Sequence, residues 1–354
     1  MVTDLGIVIK PISIETQIGQ MVKIWNQNFL YSLNLTRKII LPHLMGDPNY
    51  DPQGLLGAYL ASGELVGFVL GKRWQIPMQD MGQNNDQQWI RDTKMGIGLI
   101  AVQKLYQRKG IGTSLLKAIE EFFIQHDGHL ISIGREPGKH FFPGIPEPVE
   151  SAFEFFEKNG YGDLGFETAI DIMGDVSQKE EKMNYKLKSK IDQNMKGGFR
   201  VIPYRDSYYD AVLAFMKTTF PGKWYWTVFQ FITNSHVAKD ELQLLVYTKN
   251  EFPTLEDPQN FEIVGFAQTC SQQSIESGSA TIVQSQGDPA FGGLGPIGIS
   301  PNIRGSKGLG AMLLHFALVN LHTKGVRRVL IDWTSHGLLQ RYYGIGRASC
   351  RGSV

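Results

Sequence analysis

The sequence predicts an α/β fold built twice in tandem. Length, an internal repeat and the order of strand and helix patterns carry that prediction. At 354 residues the chain exceeds one comfortable core and fits two domains of ordinary size. Glu64-Leu65-Val66-Gly67-Phe68 returns as Glu262-Ile263-Val264-Gly265-Phe266, 198 positions later. Lys109-Gly110-Ile111-Gly112, followed by Leu115-Leu116, returns at the same offset of 198 as Lys307-Gly308-Leu309-Gly310, followed by Leu313-Leu314. A period this long is a duplicated domain rather than a solenoid unit. The Lys/Glu-rich stretch SQKEEKMNYKLKSKIDQNMKGG separates the copies. We therefore place a first unit at residues 1–176, a join at 177–198 with room for a short amphipathic helix, and a second unit at 199–354.

The elements follow one order in both copies. A weakly alternating strand opens each, at Ile7–Lys10 and Phe199–Ile202. Helical patterns come next, near Glu15–Leu30 and Tyr208–Thr218. Copy one then shows a hairpin, Leu55–Leu60 and Glu64–Leu70, turning at Ser62-Gly63. Copy two has the strands Leu242–Tyr247 and Phe261–Thr269 around a longer loop. A glycine-bearing apolar strand then enters a glycine-rich turn and a helix: Gly96–Val102 into Thr113–Phe123, and Leu294–Ile299 into Ala311–Leu321. One more strand, His129–Ile133 or Arg328–Asp332, precedes a final amphipathic helix. Strands crossed over by helices make an α/β layer.

Composition narrows the function classes. With 42% apolar and 19% charged residues the chain is an ordinary globular one. Thirty-five Lys+Arg against 34 Asp+Glu leave a net charge of +1, so there is no electrostatic case for a nucleic-acid or anionic-membrane partner. No apolar run approaches the ~20 residues of a membrane span. The start, MVTDLGIVIK, lacks the charged and apolar regions of a signal peptide. Cys270 and Cys350 have no neighbour at metal-ligand spacing, and the histidines show no zinc pattern. The expectation is a cytoplasmic monomer or homodimer without a metal.

The segment from Val102 to Thr113 carries the chemistry. It leaves a strand and opens a helix, where backbone N–H groups lack intrahelical partners and the helix dipole adds positive character. Gly110 and Gly112 let the backbone approach a ligand closely. Such a main-chain cradle suits a pyrophosphate. Neither copy has the Gly-x4-Gly-Lys-Ser/Thr of a Walker loop. A dinucleotide fingerprint needs a small sixth residue, where Leu115 and Leu313 stand.

The full pattern, Val102 followed by Gln107-Arg108-Lys109-Gly110-Ile111-Gly112, resembles the central motif of the GCN5-related N-acetyltransferase (GNAT) family. The resemblance implies two such domains, each a mixed, mainly antiparallel twisted sheet flanked by helices. It implies acetyl-CoA as co-substrate: the strand end at Val102 would hold the pantetheine arm, and the amides from Arg108 to Thr113 the pyrophosphate. Copy two reads Ile299, then Arg304-Gly305-Ser306-Lys307-Gly308-Leu309-Gly310, with one residue more than the family pattern. Either Arg304 is displaced or Gly305 fills the Gln/Arg position.

Acetyl transfer to an amine needs a proton acceptor and, for the leaving thiolate, a donor. In the family a tyrosine of the last helix commonly donates. Copy one places Phe156 there, in Phe155-Phe156-Glu157-Lys158-Asn159-Gly160-Tyr161, and phenylalanine has no proton to give. Copy two places Tyr343 there, with Tyr342 as the fallback, before a tail that lacks the expected closing strands. Glu136 and Asp332, each beyond or near the end of the late strand, are the candidate bases, with ordered water as the default. Copy one alone carries the loop Lys139–Pro148. Phe141 and Phe142 in it line an acceptor pocket or pack on the other domain, and His140 reads as a surface residue. Trp224-Tyr225-Trp226 reads as core packing.

Three functional readings follow. The first is an acetyl-CoA-dependent N-acetyltransferase with a small-molecule or peptide amine as acceptor, copy one binding the co-substrate more tightly. The alternative is a non-catalytic acyl-CoA-binding or regulatory protein, which Phe156 favours. An aminoacyl-tRNA-dependent transferase ranks last, since it would want a basic surface.

Overall fold

A computed structural model of the chain describes residues 6–29, 33–75, 95–128, 130–134, 136–142, 144–146, 149–162, 170–176, 185–248, 254–277, 288–305 and 308–334. In the first half, β1 (Val8–Pro11), β2 (Leu55–Tyr59), β3 (Leu65–Arg73), β4 (Met95–Val102) and β5 (Ile131–Ile133) form a sheet in that order. All neighbours run antiparallel except β4 and β5, which are parallel. Two layers of helix cover it. On one face α1 (Ile14–Asn28) and α2 (Arg37–Leu44) bury Ile18, Met21, Ile24, Trp25, Ile40 and Leu44 against Leu55, Phe68 and Leu99. On the other, α3 (Ile111–Ile124) and α4 (Glu150–Lys158) bring Leu115, Ile119, Phe123 and Phe156 onto Leu56, Val66 and Ile97.

The pleat explains this division: Leu55 and Leu56, adjacent in β2, serve opposite cores. Helix α3 lies so close to β3 that a Cβ on Gly71 would sit 2.5 Å from Phe123 Cζ and 2.8 Å from Ile119 Cδ1. Gly71→Ala is therefore expected to destabilise the chain by about 1–3 kcal/mol through overpacking. Denaturant unfolding checks this, and an unchanged midpoint would refute the tight fit.

In the second half the order is β6-β11-β10-β9-β8-β7. Here β6 is Ile170–Asp175, β7 Phe199–Pro203, β8 Leu242–Tyr247, β9 Glu262–Cys270, β10 Phe291–Ile299 and β11 Arg328–Thr334. Again the pair on either side of the glycine-rich turn, β10 and β11, is the parallel one. Helices α6 (Tyr209–Thr219) and α7 (Lys223–Thr233) bury Val212, Met216, Val228 and Phe231 on one face, and α8 (Leu309–Thr323) buries Met312, Leu313, Ala317 and Leu321 on the other.

Two features tie the halves. Residues Ile170–Asp175, inside the segment read as the first unit, form β6 and pair antiparallel with β11 from Arg328↔Asp175 to Ile331↔Ile172. They supply the edge beyond β11 that the second unit's own tail was not expected to fill. The join holds α5 (Tyr185–Lys196), whose Leu187 and Ile191 enter the second core beside Met312 and Leu313. The amphipathic helix allowed for in the join is thus a packed element. No helix of the described residues is long and apolar enough to cross a membrane.

Candidate functional site

In the first half, β4 and β5 pair only from Met95↔Ile131 to Ile97↔Ile133. The Gly134 N–H still donates to the Ile97 carbonyl at 2.8 Å, and at Gly134 (φ 68°) the chain turns away. The rest of β4, to Val102, has no partner from β5, so a wedge opens between two parallel strands. The end of β4 is pinned from the side: the Val102 carbonyl accepts from Asn28 Nδ2 and Gln107 Nε2, both at 3.0 Å. Gln107 Nε2 also donates to Asn28 Oδ1 at 2.7 Å.

The turn that follows has the conformation its glycines suggest. Arg108 (φ 60°) and Gly110 (φ 81°) are both left-handed, and Gly110 caps α3 without any side-chain bond to the helix start. The first bond of the helix is Ser114 N–H to the Gly110 carbonyl, 3.0 Å. The N–H groups of Ile111, Gly112 and Thr113 therefore have no intrahelical acceptor. Arg108, Lys109 and Gly110 are exposed. A non-glycine residue held at positive φ carries of order 1 kcal/mol of strain, and such strain collects at ligand-binding turns. The turn presents main-chain donors with two cations on its rim, an arrangement that suits an anion.

The second half repeats the arrangement. Arg304 settles the extra residue: its Nε and Nη2 donate to the Ile299 carbonyl at 3.3 and 3.1 Å. It thus pins the strand end as Gln107 does in copy one. The insertion is absorbed beyond it, where Gly305 (φ 94°) and Gly308 (φ 69°) are left-handed and Gly308 caps α8. Ser306 and Lys307 lie outside the described residues. Leu309 is buried in the second core, while nothing stands within 4 Å of where a Cβ on Gly310 would be. Lys190 of α5 lies against this turn, its Cδ 3.3 Å from where a Cβ on Gly308 would be.

The proton-handling candidates fare differently. Tyr343 and Tyr342 fall outside the described residues, as does the side chain of Asp332. Phe156 is buried edge-on between Phe155 and Tyr161, at 5.2 and 5.5 Å. The Tyr161 hydroxyl donates to Glu120 Oε1 at 2.8 Å; burial and that neighbour push its pKa up. The loop unique to copy one corrects two expectations. Phe141 and Phe142 are core residues of the first half, stacked on His43 (4.6 Å) and Trp25 (5.8 Å). His140 is buried and meets Lys223 Nζ of α7 across the two halves, 3.3 Å from its Nδ1. Trp224 packs on Phe220 and Phe266 yet keeps 39% of its surface exposed.

Glu136 is the residue whose weight the sequence understated. It is fully buried, and one oxygen accepts from the Phe141 N–H at 2.7 Å. Burial pushes its pKa up against the pull of Lys72 and Lys223. Beside it, Lys72 Nζ is buried and donates to Asp47 Oδ2 (2.8 Å) and to the carbonyls of His43 (2.8 Å) and Lys139 (2.7 Å). Glycines inside a strand mark close approach of another group, and Gly96 and Gly98 were the available signal for it. Among the described residues no group of three or more His, Cys, Asp or Glu is placed to hold a metal.

Residues 20–142 match the family described as Acetyltransferase (GNAT) family. Among solved structures, the chain is similar to the GCN5-related glucosamine N-acetyltransferase region of a fungal multi-domain GH3 β-N-acetylglucosaminidase. That match has a TM-score of 0.77 and 19% identity, covering 99% of this chain and 38% of the other. The chain thus spans well under half of that protein. A GCN5-related N-acetyltransferase from Sphaerobacter thermophilus matches with a TM-score of 0.62 at 14% identity, over 99% of this chain and 95% of that one. A tandem GNAT protein from the clavulanic acid biosynthesis pathway matches at 0.59 and 13%, over 98% and 97%. A search of curated proteins finds no match.

Proposed function

We propose that this chain, whose residues 20–142 match the GNAT acetyltransferase family and whose two halves share the fold of two-domain neighbours, is an acetyl-CoA-dependent N-acetyltransferase acting on a primary amine, with an amino sugar as acceptor. The observation that carries this reading is the first-half cradle. A strand freed from its neighbour ends at Val102 and leads into a left-handed turn and a helix start whose amides have no acceptor. Residues Arg108, Lys109, Gly110, Ile111, Gly112 and Thr113 would hold the pyrophosphate there, and the wedge beside β4 would take the pantetheine arm. The co-substrate supplies an acetyl thioester; the chain supplies its placement and the exclusion of water. Fit is supported by Gly110, exposed and left-handed at the helix start, where a side chain would be strained.

The second-half turn, Ile299 with Arg304 to Gly310, is proposed as a second cradle, narrowed on one side by Lys190. The choice of an amino sugar rests on the printed activity of the fungal neighbour, whose fold this chain shares over 99% of its length. Phe156, buried where the family commonly keeps a tyrosine, favours a second reading, a protein that binds acyl-CoA without turning it over.

One experiment separates the two. Acetyl-CoA is titrated into the full chain by calorimetry, and thiol release is then followed with D-glucosamine, spermidine and a peptide amine. Binding with turnover of D-glucosamine is the expected result. Binding without turnover of any amine selects the second reading, and absence of binding rejects both.

A further inference from the structure

Glu136 stands over the one irregular place in β4. The β3–β4 register shifts between Leu70↔Leu99 and Gly71↔Ile97, so Gly98 is the extra residue of a bulge. A bulge leaves a residue out of the ladder and is common beside active sites. A Cβ on Gly98 would lie 2.5 Å from Glu136 Oε1 and 2.6 Å from Cδ, and one on Gly96 2.7 Å from Glu136 Cα. The strand has given up side chains where the carboxyl lies.

The carboxyl is also under-satisfied. Oε1 has the Phe141 N–H, whereas Oε2, equally buried, has no hydrogen-bond partner among the described residues. A buried carboxylate oxygen without a partner is unfavourable, and a native fold that keeps one calls for a reason such as a catalytic role. From the second half, α7 begins at Lys223, which contacts His140 and whose charge reaches Glu136.

Resting on the acetyltransferase reading, we propose that Glu136 receives the acceptor's ammonium group and takes its proton, in a centre of the first half that is completed by Lys223 of the second. The ammonium gives one proton to the Glu136 carboxylate, and the freed amine nitrogen attacks the thioester carbonyl. The C–N bond forms and the C–S bond breaks. The nitrogen's second proton leaves with the thiolate as thiol, and Glu136 returns its own proton to water. The charged and titratable groups around it are Lys72 on β3, paired to Asp47, His43 on α2, Lys139 and His140 in its own loop, and Lys223 on α7.

The test uses the full chain with acetyl-CoA and D-glucosamine, comparing wild type, Glu136→Gln, Glu136→Asp and Lys223→Met. Glutamine keeps an oxygen for the Phe141 N–H but accepts no proton, so a merely structural Glu136 would leave turnover intact. Glu136→Gln is expected to lower kcat about 100-fold or more with acetyl-CoA affinity unchanged, and Glu136→Asp to recover part of it. Lys223→Met removes a cation near the carboxylate, so the acidic limb of kcat/KM should move to higher pH. A folded Glu136→Gln within twofold of wild-type kcat overturns the proposal alone. Should that variant fail to fold, an unmoved limb in Lys223→Met overturns it. A wild type that acetylates no amine overturns the acetyltransferase reading and this proposal together.

Discussion

Replacing Asp47 by alanine is expected to lower the free energy of unfolding by about 3–5 kcal/mol. The carboxylate is buried and accepts four hydrogen bonds: from Lys72 Nζ and the Lys139 N–H at 2.8 Å, and from the Asn49 N–H and Nδ2 at 3.0 and 3.1 Å. Its loss leaves the Lys72 ammonium in the core without its counter-charge. Removing both charges should be milder, so Lys72→Met added to Asp47→Ala is expected to recover a substantial part of the loss. Denaturant unfolding of the two variants decides the matter. A single-variant loss below about 1 kcal/mol would mean the pair contributes no more than a surface bridge does.

The same cluster sets an acid limb of stability. Burial first, and then the Lys72 charge, push the His43 pKa down to about 3. In the fold His43 stays neutral, its Nδ1–H donating to the Ile39 carbonyl at 2.9 Å. The unfolded chain takes up the proton near pH 6.5, so it binds more protons than the fold between about pH 6.5 and 3. Stability falls as pH drops through that window, by about 1.4 kcal/mol per pH unit from this group. Asp47 acts in the same direction. Burial raises its pKa, but the Lys72 charge and the donated hydrogen bonds outweigh that and hold it below the ordinary value. Glu136 opposes them, since its raised pKa makes the fold bind a proton more readily as pH falls.

Much of the fold was legible because the signals are local and occur twice. The strand Leu242–Tyr247 stands at the residues its pattern gave, and the strands and helices flanking the glycine turns differ by a few residues at most. The glycine turns were legible for the same reason: a strand, Gly-x-Gly and a helix follow one another directly in sequence.

What escaped depends on which distant groups meet. Ile170–Asp175 was given no strand within the first unit, and its pairing with β11 rather than the first sheet is made by tertiary packing. Phe141 and Phe142 read as loop aromatics, and only the doubling back of that loop carries both into the core. Glu136 is one acid among 34 Asp and Glu in the sequence. Its burial over two strand glycines appears only when β4 and the loop after β5 are brought together. In copy two the extra residue left Arg304 and Gly305 as alternatives, and side-chain reach to the Ile299 carbonyl distinguishes them.

Placing glutamates at Gly110 and Gly112 is expected to weaken acetyl-CoA binding by 100-fold or more, an estimate that follows from three separate penalties. Gly110 is at φ 81°, where an L side chain is unfavourable by about 1 kcal/mol. A Cβ on Gly112 would lie 3.2 Å from the Phe155 ring, so that ring and the helix start must shift to admit a side chain. The carboxylate added at the exposed Gly110 then stands against a pyrophosphate bound at the helix start. At about 5 Å and an effective dielectric near 20, one such like-charge pair is unfavourable by roughly 3 kcal/mol, itself about 100-fold. The matching pair in the second half, Gly308→Glu with Gly310→Glu, meets a softer setting, because Lys190 lies beside Gly308 and can pair with the new charge. If the first half is the tighter site, the first pair abolishes the main calorimetric transition and the second leaves it in place. The reverse result would move the working cradle to the turn that Arg304 organises, and equal losses would give the two halves equal standing.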